Sequence, residues 1–475
     1  MRTLHCDIDI EQTPSVLQKV AIAAARDRSY EVSSRNLRDL AELKISAKQC
    51  QRIAIRIGNE RLDEQQQSID RYTAASIPEQ QHGQSDDAPA NDWSGRAAVI
   101  RGDGGRVQIR DSLWGQDKPS DKRHRWWRET QAGVLQTYQS KPSDVDPHPE
   151  VPVCLKDPLW IVPKVNEIQR SSGSSSDSND PDSEPDSDPD SEASRDNQPS
   201  STQSPSAEQT IQNMKSSRKD HKRWSGGDPL VQTIVATRQG YDHLGLALAA
   251  EAYRRGFNKA KIKAFMGDGL KVNWSLWATH FSHYTPIVDI MHALAYVYGG
   301  AIASCGRIED GWQLYVQWLE WTWSGDVDRV ITAMQQHAAG QEEIPEDLRR
   351  AITYLSNNAS RMQYARYRRA GLPVTTSPVE SAQKQINERI KGTEKCWRDD
   401  SLEPLLQLKA DDQSETQDRN QSYLTNPVMH PAVLSTSGEK VRKTSRRRVS
   451  LRLAISSVSE RRGFEVPLNS LSRCA

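Results

Sequence analysis

Three acidic residues stand in segments that could aim a carboxylate at a ligand. Glu380 lies in Thr376-Ser-Pro-Val-Glu-Ser-Ala-Gln-Lys-Gln-Ile-Asn-Glu-Arg-Ile-Lys-Gly392. Ser377 as a cap and Pro378 in the first turn predict a helix start, and Gly392 predicts its end. Val379, Ala382, Ile386 and Ile390 recur as a buried stripe, with Glu380, Lys384, Asn387 and Lys391 on a neighbouring face. Asp268 sits between Gly267 and Gly269 at the carboxyl end of an alternating segment, Lys261–Leu270. Ligands and metals commonly meet α/β sheets at such strand ends. Asp103 precedes Gly104-Gly105 in a predicted strand, Ala97–Arg110. Structural roles fit as well: a capping box for Ser377 and Glu380, and a turn for Asp103-Gly104. The residue pattern by itself leaves both open.

The segment Thr376–Trp397 resembles the last catalytic block of prokaryotic insertion-sequence transposases of the DDE type, related to the Mutator-like group. There a Ser-Pro-Val-Glu-Ser run opens a Lys- and Asn-bearing helix that ends in Gly-Thr-Glu-Lys. Asp103-Gly-Gly-Arg-Val-Gln-Ile-Arg110 resembles the first-strand block, and Phe265–Tyr298 the second. Asp289-Ile-Met-His292 fits the Asp/Cys-x-x-His signature. The likeness spans roughly Val16 to Ala410, apart from the stretch 171–209.

The resemblance implies an α/β, RNase H-like catalytic core: a mixed sheet flanked by helices, with a helical insertion, preceded by an all-helical helix-turn-helix region. It implies a DDE transposase that cuts element ends and transfers the freed strand into target DNA. Asp103, Asp268 and Glu380 become its catalytic and metal-holding residues, with Asp289 and His292 supporting them. Such oxygen ligands suit Mg²⁺ or Mn²⁺. Double-stranded DNA, as terminal repeats and as target, is the implied partner, and a homo-oligomer bridging two ends is the implied assembly. Cys396 before Trp397, the acidic Arg398-Asp-Asp400 and the long acidic stretch depart from the family pattern. They keep a second reading open: an inactive or domesticated copy that binds DNA sequence-specifically without cutting it. A metal-dependent nuclease that cuts without joining is a third.

Ahead of these blocks, the pattern predicts helices at Ser15–Arg26 and Ser33–Leu43, then a third capped by Ser46. Cys50, Ile53, Ala54 and Ile57 point inward on the third. Lys48, Gln49, Arg52 and Arg56 point outward as candidate DNA contacts, joined by Lys384, Asn387 and Lys391 on the later helix. A helix-turn-helix and an ordinary helical hairpin with a solvated face both fit. Strands are predicted near Trp126–Tyr138, Val231–Thr237 and Tyr284–Asp289. The resulting plan has residues 1–63 as a DNA-binding region and 64–94 as a linker. Residues 95–410 form the catalytic domain, with a disordered acidic insert at 171–209 and a helical insertion at 293–375. Residues 411–475 make a disordered basic tail.

Charge supports this segregation. Lys plus Arg and Asp plus Glu both number 63, so net charge argues for no partner. Nine of the twenty residues Asp177–Asp196 are acidic and nine of the twenty-three Lys440–Arg462 are basic, so the two signs occupy separate stretches. Six scattered cysteines without a CxxC pair predict neither zinc nor a disulfide framework. With no run of 18 apolar residues, the expectation is a cytoplasmic, nucleoid-associated protein without membrane contact. Trp312, Trp318, Trp321 and Trp323 suit a core or base stacking. Arg361, Arg366, Arg368 and Arg369 read as a phosphate-facing run.

Overall fold

The computed structural model describes residues 13–89, 92–109, 127–173, 229–392 and 395–414. The expected disordered insert, 171–209, and basic tail, 411–475, lie outside them except at their first residues, where 171–173 and 411–413 instead end helices. Among the described residues the chain is α/β. It begins with helices α1 (Pro14–Arg26), α2 (Tyr30–Ala41), α3 (Ala47–Ala74) and α4 (Ile77–His82). Ser29 caps α2 by accepting from Val32 N at 3.3 Å. Ser46 and Gln49 form a reciprocal capping box at the start of α3.

α3 is longer than the pattern suggests and runs through the first part of the expected linker. Ile69 and Tyr72, three residues apart, bury against later helices, and Tyr72 meets the Tyr253 ring edge-on at 5.9 Å. The rest of that stretch is largely polar and exposed, which hides the helix from a composition reading.

Five strands make one sheet: β1 (Arg96–Gln108), β2 (Trp127–Gln139), β3 (Pro229–Thr237), β4 (Ile262–Gly267) and β5 (Thr285–Val288). Their order is β3-β2-β1-β4-β5, antiparallel from β3 to β1 and parallel from β1 to β5. Helices cover both faces, so the β1 run Ala97-Ala-Val-Ile100 is fully buried rather than alternating. Ala98 and Ile100 pack toward α6 (Tyr241–Arg254) and α7 (Lys271–His280), and Ala97 and Val99 toward α5 (Pro158–Gly173) and α8 (Ile290–Ala303).

After α8 come α9 (Ile308–Ser324), α10 (Val327–Ala339), α11 (Glu346–Asn358) and α12 (Tyr364–Arg369), which form the helical block between the last strand and α13 (Ser377–Ile390). Trp318 and Trp323 are core residues of this block, and Trp312 and Trp321 pack against it. Arg368 is buried too. Its guanidinium pairs with Asp146 at 3.0 and 3.2 Å and lies 4.1 Å over the Trp323 ring, so it is a structural cation and not part of a phosphate-facing run. Arg366 and Arg369 are exposed.

α14 (Asp399–Gln413) joins the first helices to the sheet. Leu402, Leu405 and Leu406 enter the core under β1–β3, while Leu408 enters the core of α1–α3. Arg389 of α13 donates to Ala24 O at 2.8 Å and lies between the Tyr30 and Trp397 rings. The N-terminal helices are thus packed onto the sheet unit. No helix among the described residues is long and apolar enough to cross a membrane.

Candidate active site

The sheet register brings the aspartates together. β1 pairs with β4 up to Arg101 opposite Met266, and β4 pairs with β5 up to Gly267 opposite Val288. Continued along the strands, the same registers set Asp103 beside Asp268 and Asp268 beside Asp289. Asp289 N donates to Gly267 O at 2.8 Å, which holds that level. Three carboxylates from separate segments therefore form a row: Asp268 and Asp289 just past the carboxyl ends of β4 and β5, and Asp103 inside β1 just past its parallel pairing with β4.

Each is held differently. Asp103 Oδ1 accepts from Gly104 N at 2.7 Å. Asp268 Oδ1 accepts from Leu270 N at 2.9 Å and Asn273 Nδ2 at 2.8 Å. The turn behind it needs a glycine: Gly269 has φ +98, which disfavours any side chain. The helical block fastens this turn, since Tyr354 Oη donates to Asp268 O at 2.6 Å. Asn358 Nδ2 reaches Gly269 O at 3.4 Å, and Trp274 Nε1 donates to Asn358 Oδ1 at 2.8 Å.

Asp289 is fully buried and caps α8. Its Oδ2 accepts from His292 N at 3.0 Å and lies 2.7 Å from His292 Nδ1, while Oδ1 accepts from Thr376 N at 2.8 Å. Both oxygens are thereby used, which makes Asp289 an anchor for His292 and for the start of α13.

Glu380 projects from the first turn of α13. The expected capping box does not form: Thr376, not Ser377, is the cap residue, and its Oγ1 donates to Glu380 Oε1 at 2.9 Å. Ser377 lies inside the helix because Thr376 is already tied to Asp289. The carboxylate is then free to face the aspartate row.

Ligand atoms of Asp289, His292 and Glu380 lie within 4.8 Å of one another. Among the described residues this is the tight group, in place of the expected Asp103, Asp268 and Glu380. The field nevertheless spans the whole row. Burial, and then the charge of Asp268, push the Asp103 carboxyl up to about 7. Burial and Asp289 raise Glu380. Burial would lower His292, but the hydrogen bond and charge of Asp289, reinforced by Asp268 and Glu380, raise it to about 9. Such like-charge crowding is what a bound cation relieves. Asp103, Asp268 and Glu380 each use one oxygen for the hydrogen bonds above, and no bond among the described residues takes the other. That donor set fits a hard divalent ion, with Asp289 and His292 as its backing.

No protein-family model matches the chain, and no curated protein matches it.

The expected DNA contacts divide. Lys48 and Arg52 are exposed on α3. Gln49 Oε1 is occupied by Ser46 in the capping box, and Arg56 faces Glu60 at 3.9 Å. On α13, Lys384 makes an exposed pair with Glu167 at 2.8 Å, and Asn387 Oδ1 accepts from Gln383 at 3.2 Å. Lys391 lies 5.6 Å over the Trp127 ring. Thr376, Tyr354 and Asn358 were not legible as site residues. Thr376 adjoins the Ser-Pro-Val-Glu run, which is the one local signal; the other two act across long sequence separations.

Proposed function

We propose that the chain is a DDE-type DNA transposase with an RNase H-like core, cutting element ends and joining them to target DNA. The observation that carries this reading is the row of Asp103, within β1, and Asp268 and Asp289, at the ends of β4 and β5, with Glu380 facing it from a helix. Asp103, Asp268 and Glu380 would hold Mg²⁺ or Mn²⁺. When bound, such ions activate an attacking oxygen and stabilise a leaving one. The chain's own residues hold the carboxylates in place and bias their protons. Tyr354 and Asn358 lock the Asp268 turn, Asp289 orients His292, and Thr376 aims Glu380. The His292 imidazolium offsets part of the negative charge next to Glu380. The exposed Lys48 and Arg52 suit DNA phosphates, and the packing of α1–α3 on α14 would keep bound DNA in a set relation to the row. A homo-oligomer bridging two ends belongs to the same proposal.

The test uses duplex DNA from both flanks of the gene, incubated with purified full-length protein and Mg²⁺, with 3′ ends mapped. Nicks at matching inverted sequences, absent with Glu380→Ala, are the expected result. Binding there without nicking would replace the proposal with a DNA-binding protein, and no binding would overturn both.

A further inference from the structure

A phenol stands beside the carboxylate row with its hydroxyl unspent. Tyr241 is the first residue of α6. An ideal Cβ on residue 104 would lie only 2.8 Å from its hydroxyl, so that oxygen closes directly onto the Gly104 backbone. The same glycine's N–H holds Asp103 Oδ1 at 2.7 Å. Tyr241 Oη makes no hydrogen bond among the described residues. Its surroundings are acidic: burial, then Asp268, Asp103 and Glu129, raise its pKa above the ordinary phenol value. A tyrosine is already protonated at neutral pH, so the group is a neutral donor facing anions.

We propose that Tyr241 is a catalytic residue that donates its Oη–H to a non-bridging oxygen of the scissile phosphodiester and holds that phosphate against Asp103 and Asp268. This rests on the transposase reading above and names a residue within that same site. The argument is one of economy of donors. The row supplies acceptors and the cations they bind, while a phosphodiester presents more oxygens than the cations need contact. A donor that stays neutral adds a hydrogen bond without competing for the carboxylates, as a cationic side chain would. The proton stays on Tyr241 throughout, and no bond to it forms or breaks. Gly104 acquires a reason at the same time, since any side chain there would push the ring away.

Tyr241→Phe and Gly104→Ala test this in the full-length protein. The probe is a plasmid carrying the flanking DNA, nicked in Mn²⁺ under single-turnover conditions, with Glu380→Ala as the silent control. Loss of one donor to a charged oxygen predicts a nicking rate about 10- to 100-fold lower for Tyr241→Phe. Mn²⁺ affinity, read by titration without DNA, and melting temperature should match the wild type. Gly104→Ala should lose rate likewise. A Tyr241→Phe rate equal to wild type, with Glu380→Ala silent, overturns this assignment and leaves the transposase reading standing. A parallel loss of Mn²⁺ affinity would make Tyr241 a support of the carboxylates and overturn it too. Absence of nicking by the wild type overturns both.

Discussion

Two clusters of charge, one inside the helical block and one at the strand ends, are built on opposite rules. In one, Arg368 meets Asp146 through three hydrogen bonds and stacks on Trp323, so each charge has its opposite. Burial alone would raise Asp146, but the Arg368 hydrogen bonds, the His148 N–H and the Arg368 charge together outweigh it and hold the carboxyl below the usual carboxylate range. In the other, Asp103, Asp268, Asp289 and Glu380 crowd around one largely buried cation, His292, with Lys384 acting only on Glu380 from the surface, and Asp103 is pushed up to about 7. A paired cluster costs little once formed and serves the fold. A crowded cluster of one sign destabilises the fold until something cationic arrives, and that is the physical mark of a site.

The contrast can be broken by substitution. Asp268→Asn should lower metal-dependent nicking at least about 1,000-fold, a loss of roughly 4 kcal/mol in the transition state. Its melting temperature should not fall, because one repelling charge is gone. A destabilised variant with normal nicking would reverse the assignment.

Arg368→Ala should do the converse. Leaving Asp146 without its partner costs about 3–5 kcal/mol, as read by urea unfolding, while Mn²⁺ affinity per folded molecule is kept. Equal losses in both measurements would show that the two clusters are coupled.

Acid and base separate the clusters by sign. Asp103 and His292 both have raised pKa values in the fold. Their stabilising contributions are therefore complete below the unfolded values and are lost as pH rises, through about 7 for Asp103 and about 9 for His292. Asp146 is depressed, so its contribution is present above the unfolded value near 3.8 and is lost as pH falls through its lower folded value. Metal-free protein should thus lose melting temperature from about pH 4 to 9, and Mn²⁺ should restore most of it at the alkaline end. A flat profile across that window would remove the crowding argument.

The smallest expected effect is that of Tyr354→Phe. One hydrogen bond to Asp268 O is lost, at about 1 kcal/mol of stability. Mn²⁺ affinity should weaken modestly because the Asp268 turn loosens.

The α/β class was legible from alternation and from helix starts and stops. So were the strands at 96–108, 229–237 and 262–267, because short apolar runs and alternation both depend only on near neighbours. The Ser46 cap and the inward Cys50, Ile53, Ala54 and Ile57 were legible for the same reason. The capping role of Gln49 was not legible, since an outward polar residue and a cap look alike in a pattern. Arg368 was misread as surface, since nothing near it in sequence announces Asp146, more than 200 residues earlier.

What the sequence determined by itself is therefore local: which segments are helices and strands, where glycines permit turns, and that acidic residues end two of the strands and begin one helix. Tertiary structure alone decided that three aspartates share one level, because strand register is set by packing across the sheet and not along the chain. It alone decided that Thr376 serves Asp289 and Glu380 at once, that Tyr354 closes the Asp268 turn, and that Tyr241 lies on Gly104. Those contacts join residues far apart in the chain, and their geometry exists only after the hydrophobic faces of α6, α11 and α13 have been buried.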